Sequence, residues 1–278
     1  MSAREAHRII SESFRRTSWP LENCSGKTWE PMSLNMIDLT TEQFEGNCTH
    51  PVHGRTPLMF PGTGSHALTR RWGLKNPYDG SPLSVANEHV LITGHTGTHV
   101  DAPFHVDPRG ETIEKVPCER AAGDALWLDL SSIGHSRALI GPLDLERAER
   151  DGAEQIRPAD IVLVHTGWLD ASSDRSVKSY VEDAPALSRA AGEWLRARGI
   201  KALGVDLPTP DPHGASDLPI HMNFLRPRSI GLTDQDYILI YENLVNIGRI
   251  PSRRFFFVGL PIPFRGASGS PVRAVALA

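Results

Sequence analysis

The stretch Gly94-His-Thr-Gly-Thr-His-Val-Asp-Ala-Pro-Phe-His105 restricts the fold more than any other part of the chain, because it sets three imidazoles and a carboxylate within eleven positions. These groups are ligands for a borderline transition ion such as Zn²⁺ or Mn²⁺. A helix would put His95 and His99 on one face. Asp101 would then lie about 200° around from His99, and Pro103 and two glycines are poor helix residues. In a fully extended strand His95, His99, Asp101 and His105 point the same way, yet His95 and His99 stand roughly 13 Å apart. One ion with bonds of about 2 Å cannot reach both. The chain must therefore bend, and Gly94 and Gly97 sit where a bend is needed. His99 and Asp101 are expected side by side on a short strand, with His95 folded back from a turn. Pro103 ends the strand, and His105 returns near the ion from the next loop. A lone histidine is more often an ordinary hydrogen-bonded residue, but four such groups at this density reverse that balance.

Around this stretch the pattern is that of one α/β domain spanning residues 1–278, a length that commonly forms a single core. Apolar runs at His89–Thr93, Ala125–Leu130, Ile161–His165, Ala202–Val205, Tyr237–Tyr241 and Phe255–Leu260 predict buried strands. Helices are predicted over Leu143–Arg150 and Leu187–Arg198; in the second, Ser188 lies near the start and Gly199 marks the stop. Ala3, His7, Ile10 and Phe14 keep helical spacing, so residues 1–19 are expected to carry a helical arm. Pro20 to Pro82 reads as loops with a few edge strands, and the C-terminal GASGSPVRAVALA as a loose tail or a final strand.

A formal charge of −4 gives no basic excess for nucleic acid or an anionic membrane, and no apolar run is long enough to span a bilayer. The N-terminus is broken by charges where a signal peptide needs an apolar stretch, and Cys24, Cys48 and Cys118 form no C-x-x-C pair. A cytoplasmic location is expected. There is no H-E-x-x-H, H-x-H, phosphate loop, G-x-G-x-x-G after a strand, or G-x-S-x-G elbow, which sets aside other metal folds, nucleotide cofactors and a serine nucleophile.

The Gly94–His105 stretch closely resembles the H-x-G-T-H-x-D-x-P-x-H signature of the putative cyclase family, which includes bacterial kynurenine formamidases, isatin hydrolases and certain dienelactone hydrolases. Ala159–Trp168 is similar to that family's strand and TG turn, Gly204–Pro212 to its D-x-P-x-x-D-P segment, and His221 with Tyr241-Glu-Asn-Leu244 to its late His and E-N-L elements. The resemblance runs from about Met36 to Pro263. It implies a mixed β-sheet curved toward a barrel and flanked by helices, of the swivelling β/β/α type, and a homodimer or higher oligomer such as a tetramer. It also implies that His95, His99 and Asp101 bind metal, that His105 is the proton donor/acceptor, and that Asp101 bridges to a second ion held with His221 and Glu242. Arg226–Asp236 reads as an insertion between His221 and Glu242, and His213 competes for the late role, so one ion or two both remain open. Phe60-Pro61-Gly62-Thr63 is similar to the family's W-P-G-D corner, which makes Phe60, with Trp72, a candidate aromatic wall for substrate. Asp206 and Asp211 are read equally as orienting ligands or as capping turns.

The expected activity is metal-dependent hydrolysis of a small amide, aryl formamide or cyclic amide, a C–N bond other than a peptide bond. Lactone or ester hydrolysis at the same site and a non-catalytic metal-binding protein are the alternatives.

Overall fold

The computed structural model describes residues 35–44, 58–61, 73–83, 88–133, 135–171 and 177–278. The N-terminal helical arm and Trp72 lie outside them, and of Phe60 only the strand is described. Two compact units divide the chain: Met1–Leu34 with Phe60–His89, and Asn35–Met59 with Val90–Ala278. In the first unit the described residues include a turn over Asn76–Ser81, bracketed by an antiparallel bridge between Lys75 and Pro82.

The strands are β1 (Met36–Asp38), β2 (Leu58–Pro61), β3 (Glu88–Leu91), β4 (His99–Asp101), β5 (Ala122–Asp129), β6 (Leu139–Ile140), β7 (Ile161–His165), β8 (Ala186–Leu187), β9 (Ala202–Val205), β10 (Leu239–Glu242), β11 (Arg254–Val258), β12 (Gly269–Pro271) and β13 (Val275–Leu277). Nine of them form a mixed, curled half-barrel sheet in the second unit, in the order β1-β13-β11-β5-β7-β9-β10-β4-β12. The central strands β5, β7, β9 and β10 are parallel, and both flanks are antiparallel. Helices α1 (Pro142–Asp151), α2 (Arg189–Ala197) and α3 (Pro219–Leu225) lie along the chain between consecutive parallel strands, as parallel pairing requires.

Both faces of the parallel strands are buried, which is why their sequences are continuously apolar rather than alternating. Val162 and Val164 pack with Leu145 of α1, Ala191 and Leu195 of α2, and Ile220 and Phe224 of α3. Ile161 and Leu163 turn the other way, toward Phe255, Phe257, Leu39 and Ala276. Complete burial of a leucine such as Leu195 contributes about 1.5–3 kcal/mol. The ends of α2 follow the expectation: Ser188 Oγ accepts from Ala191 N at 3.1 Å, and Gly199 stops the chain's turn at φ +70°.

Helix α3 is additional to the expectation; the C-terminal segment takes the strand alternative, as β13, and adds a second paired strand, β12. Strand β4 is held between β10 and β12. Its Val100 faces the inner core, so His99 and Asp101 face the helix-covered side, where Asp101 pairs with Ile240 and His99 with Glu242. Among the described residues no helix is long and apolar enough to cross a membrane.

Candidate metal centre

The bend anticipated from the sequence is present. Gly97 adopts φ +57°, the left-handed region that glycine enters without strain, and returns the chain so that His95 lies back over Asp101. His95 Nδ1 stands 2.6 Å from Asp101 Oδ1, and His99 Nε2 lies 3.4 Å from the same oxygen and 3.3 Å from Glu242 Oε2. His221 Nε2 approaches Asp101 Oδ2 at 3.2 Å and Glu242 Oε1 at 3.6 Å. Pro103 opens a single tight turn, Pro103–His105, which sets the His105 ring 4.0 Å from that of His95 and 5.5 Å from that of His221.

The structure thus gathers His95, His99, Asp101, His105, His221 and Glu242 in one buried cluster. Insertion of Arg226–Asp236 does not separate His221 from Glu242, because it folds into short turns after α3 while the strand carrying Glu242 returns beside β4. His213 is exposed and stands apart from the cluster. Potential ligand atoms of His95, Asp101 and His105 lie within 4.8 Å of one another, as do those of His99, Asp101 and Glu242, so Asp101 belongs to both sets.

Asp211 and Asp206 separate cleanly. Asp206 accepts from Thr166 Oγ1 at 2.7 Å, from Gly167 N at 2.7 Å and from Thr166 N at 3.0 Å, and so clamps the TG turn after β7. It also meets His165 Nδ1 at 3.1 Å. Asp211 has two roles: it accepts from Ile220 N at 2.6 Å and His221 N at 3.2 Å at the start of α3, and it contacts His221 Nδ1. A second tether was not legible in the sequence. Thr98 Oγ1 donates to Asn243 O at 2.6 Å, and Tyr180 OH donates to Asn243 Oδ1 at 2.5 Å, so the residues next to His99 and Glu242 are tied together. Asn243 holds φ +56°, a conformation asparagine tolerates better than most side chains.

Charge in the cluster is finely opposed. Burial pushes the Glu242 carboxyl up, and the charge of Asp101 beside it adds to this. Burial acts the same way on Asp101, but the nearby His95 and His105 charges and hydrogen bonds from His221 and His95 hold it well below the usual carboxylate range. Burial opposes a proton on His99, yet hydrogen bonds to Asp101 and Glu242 raise it to about 10. His221 is raised as well: Asp101 and Asp211 outweigh its burial. At His105 burial, aided by the charges of His95, His221 and His99, outweighs the attraction of Asp101 and pushes it down to about 4. Two buried carboxylates therefore require positive charge beside them, which protons on His99 and His221 or a divalent cation can supply. Among the described residues nothing donates a hydrogen bond to the buried Glu242 Oε1, an acceptor suited to a cation. The donor set of imidazole nitrogens and carboxylate oxygens fits Zn²⁺ or Mn²⁺.

Fold and site together define a metal-dependent hydrolase. A solved structure described as a potential metal-dependent hydrolase with cyclase activity superposes with a TM-score of 0.64 at 20% identity, over 88% of this chain and 98% of that one. A family model described as Putative cyclase matches residues 37–212, and the chain belongs to that family. The kynurenine formamidase of Bacillus cereus (strain ATCC 14579) is 30% identical over 192 residues, which cover 69% of this chain and 80% of that protein. The kynurenine formamidase of Geobacillus thermodenitrificans is 27% identical over 217 residues, 78% of this chain and 89% of that protein. The fold is shared with isatin hydrolase A from Labrenzia aggregata, at a TM-score of 0.69 and 19% identity over 88% of this chain and 94% of that chain.

Proposed function

We propose that the chain hydrolyses a small aryl formamide or cyclic amide at a centre built from His95, His99, Asp101, His221 and Glu242, with His105 as proton carrier. The observation that carries this reading is His105, a sixth group in the cluster that burial keeps neutral near pH 7 beside two carboxylates and three other imidazoles. A divalent ion at this centre, Mn²⁺ or Zn²⁺, supplies Lewis acidity that lowers the pKa of water and polarises a carbonyl. His99 and His221 present Nε2 to the two carboxylates, while Asp101, within reach of both ligand sets, is suited to one ion or to two. Neutral His105 accepts a proton from the attacking water and returns it to the departing nitrogen. Relatives named as formamidases and structural neighbours named as isatin hydrolases support an amide as substrate. In the same reading the chain is a single hydrolase domain that works as a cytoplasmic homo-oligomer, and Phe60 and Trp72 are its substrate-binding candidates on the strength of the sequence alone.

The test is a panel of N-formyl-aryl amines, isatin-like lactams and unsaturated lactones, each with a chelator control. Hydrolysis of the first two sets that stops on chelation is expected. His105→Ala is expected to lower kcat by about 10²–10⁴ while metal content is unchanged. Full turnover by that variant, or undiminished activity in exhaustively demetallated protein, would refute the reading.

A further inference from the structure

Each imidazole of the centre uses one nitrogen toward the carboxylates and the other toward an orienting partner. His99 Nδ1 stands 2.8 Å from Gly97 O, an acceptor that can take only an N–H, so in the neutral ring it is the Nε2 lone pair that faces Asp101 and Glu242. His221 Nδ1 meets the Asp211 carboxylate, which fixes its Nε2 in the same way. For His95 the ring is reversed: Nδ1 faces Asp101, and Nε2 lies 2.8 Å from Ser268 Oγ.

We propose that Ser268 is a positioning residue of the metal centre: its hydroxyl accepts the Nε2–H of His95 and thereby leaves the Nδ1 lone pair available to an ion shared with Asp101. The proposal rests on the metal-hydrolase reading above. Ser268 differs from the partners of the other two rings because a hydroxyl can donate as well as accept. With no ion bound, Ser268 Oγ–H donates to Nε2 and Nδ1–H donates to Asp101 Oδ1. An ion held by Asp101 and His95 Nδ1 would require the other tautomer, with Nε2–H donated to the rotated hydroxyl. His95 thus has a hydrogen-bond partner within reach of each ring nitrogen.

The backbone around Ser268 is built to hold this contact. Ser268 O accepts from Ala102 N at 2.9 Å, next to Asp101 in sequence, which locks β12 to the end of β4. The next residue, Gly269, pairs with Asp101, and a Cβ there would stand 2.7 Å from His95 Cε1 and 2.8 Å from Val100 O. A Cβ on Gly94 would likewise come within 2.8 Å of Gly269 O. Two facing glycines let the His95 turn approach β12 closely enough for its ring to reach the hydroxyl.

Ser268→Ala removes the hydroxyl that stands 2.8 Å from Nε2 and favours the tautomer with the proton on Nδ1, facing Asp101. Zn²⁺ and Mn²⁺ affinities, measured by competition with a chromogenic chelator on the purified full chain, are expected to fall about 10–100-fold. Ser268→Thr, which keeps the hydroxyl, is expected to restore affinity to within a few-fold of the wild type. Circular dichroism melts of the metal-free proteins, expected to agree between wild type and both variants, separate ligand positioning from loss of fold. A folded Ser268→Ala protein with the wild-type dissociation constant overturns the role of Ser268 alone. A wild-type chain that binds neither ion overturns the metal-centre reading and this proposal with it.

Discussion

Replacing Asp211 separates what holds α3 from what orients its histidine. The helix begins with Pro219, which has no N–H, and among the described residues no side chain caps it at Leu218; Asp211, in the loop that leads into the helix, takes the next two amide protons instead. One carboxylate oxygen serves Ile220 N, and the other serves both His221 N and His221 Nδ1. Asp211→Ala loses a cap, at about 0.5–2 kcal/mol, and leaves buried donors unsatisfied, at about 1–3 kcal/mol. The total, about 1.5–5 kcal/mol, should be read as a lower urea midpoint at unchanged m-value. Asp211→Asn tests the second role. An amide has one acceptor and one donor end, so with its oxygen on Ile220 N its NH₂ faces His221 Nδ1 and moves the ring's proton to Nε2, toward Asp101 and Glu242. That change costs about 1 kcal/mol in stability. It should weaken metal binding about 10–100-fold. An Asn variant that binds Zn²⁺ or Mn²⁺ like the wild type, or an Ala variant with unchanged urea midpoint, would contradict this account of Asp211.

Two further perturbations probe the frame of the site. Gly97→Ala forces a Cβ into φ +57° and against the Gln43 side chain, and should cost about 1–2 kcal/mol in urea unfolding. At His165 burial opposes a proton, but the hydrogen bond and charge of Asp206 raise its pKa above 6.5. Because the folded pKa is the higher one, this pair's contribution is complete below pH 6.5 and is lost as pH rises through the folded value. His165→Gln should flatten the pH dependence of the urea midpoint above pH 6.5, and an unchanged slope would remove the pair from the account.

The bend was legible because ligand spacing, helix phase and strand rise are incompatible with any straight chain from His95 to Asp101. The central strands were legible because their apolar runs are long and bounded, with ends that moved by a few residues: Tyr237–Tyr241 became Leu239–Glu242. Helix α3 was not legible. Its sequence PIHMNFL is seven residues, nearly all buried, so it shows no apolar stripe against a polar face. His221 was therefore placed by family resemblance rather than by periodicity. Strand β12 was hidden for another reason: Gly, Ser and Pro read as loop, and pairing with β4 depends on the small residues that allow close approach.

The cluster makes little sense as a device for stability. Asp101 and Glu242 are almost wholly buried, and their mutual charge is one reason the Glu242 pKa is raised. Removing two carboxylates from water costs several kcal/mol per ion before any partner is counted, and apolar side chains at such positions are often as stable or more so. Their neighbour Ile240 shows that the same face of the sheet accepts an aliphatic side chain. Partners at Gly97, Asp211 and Ser268 nevertheless converge on these imidazoles, and the Thr98–Asn243 and His95–Ser268 contacts join residues 145 and 173 positions apart. Sequence separations of that size carry a loop-closure cost that local contacts would avoid. A cluster that keeps charge buried at this cost and is oriented by so many partners is suited to a cation, and on the proposed reading stability measured with and without added Zn²⁺ or Mn²⁺ should differ accordingly.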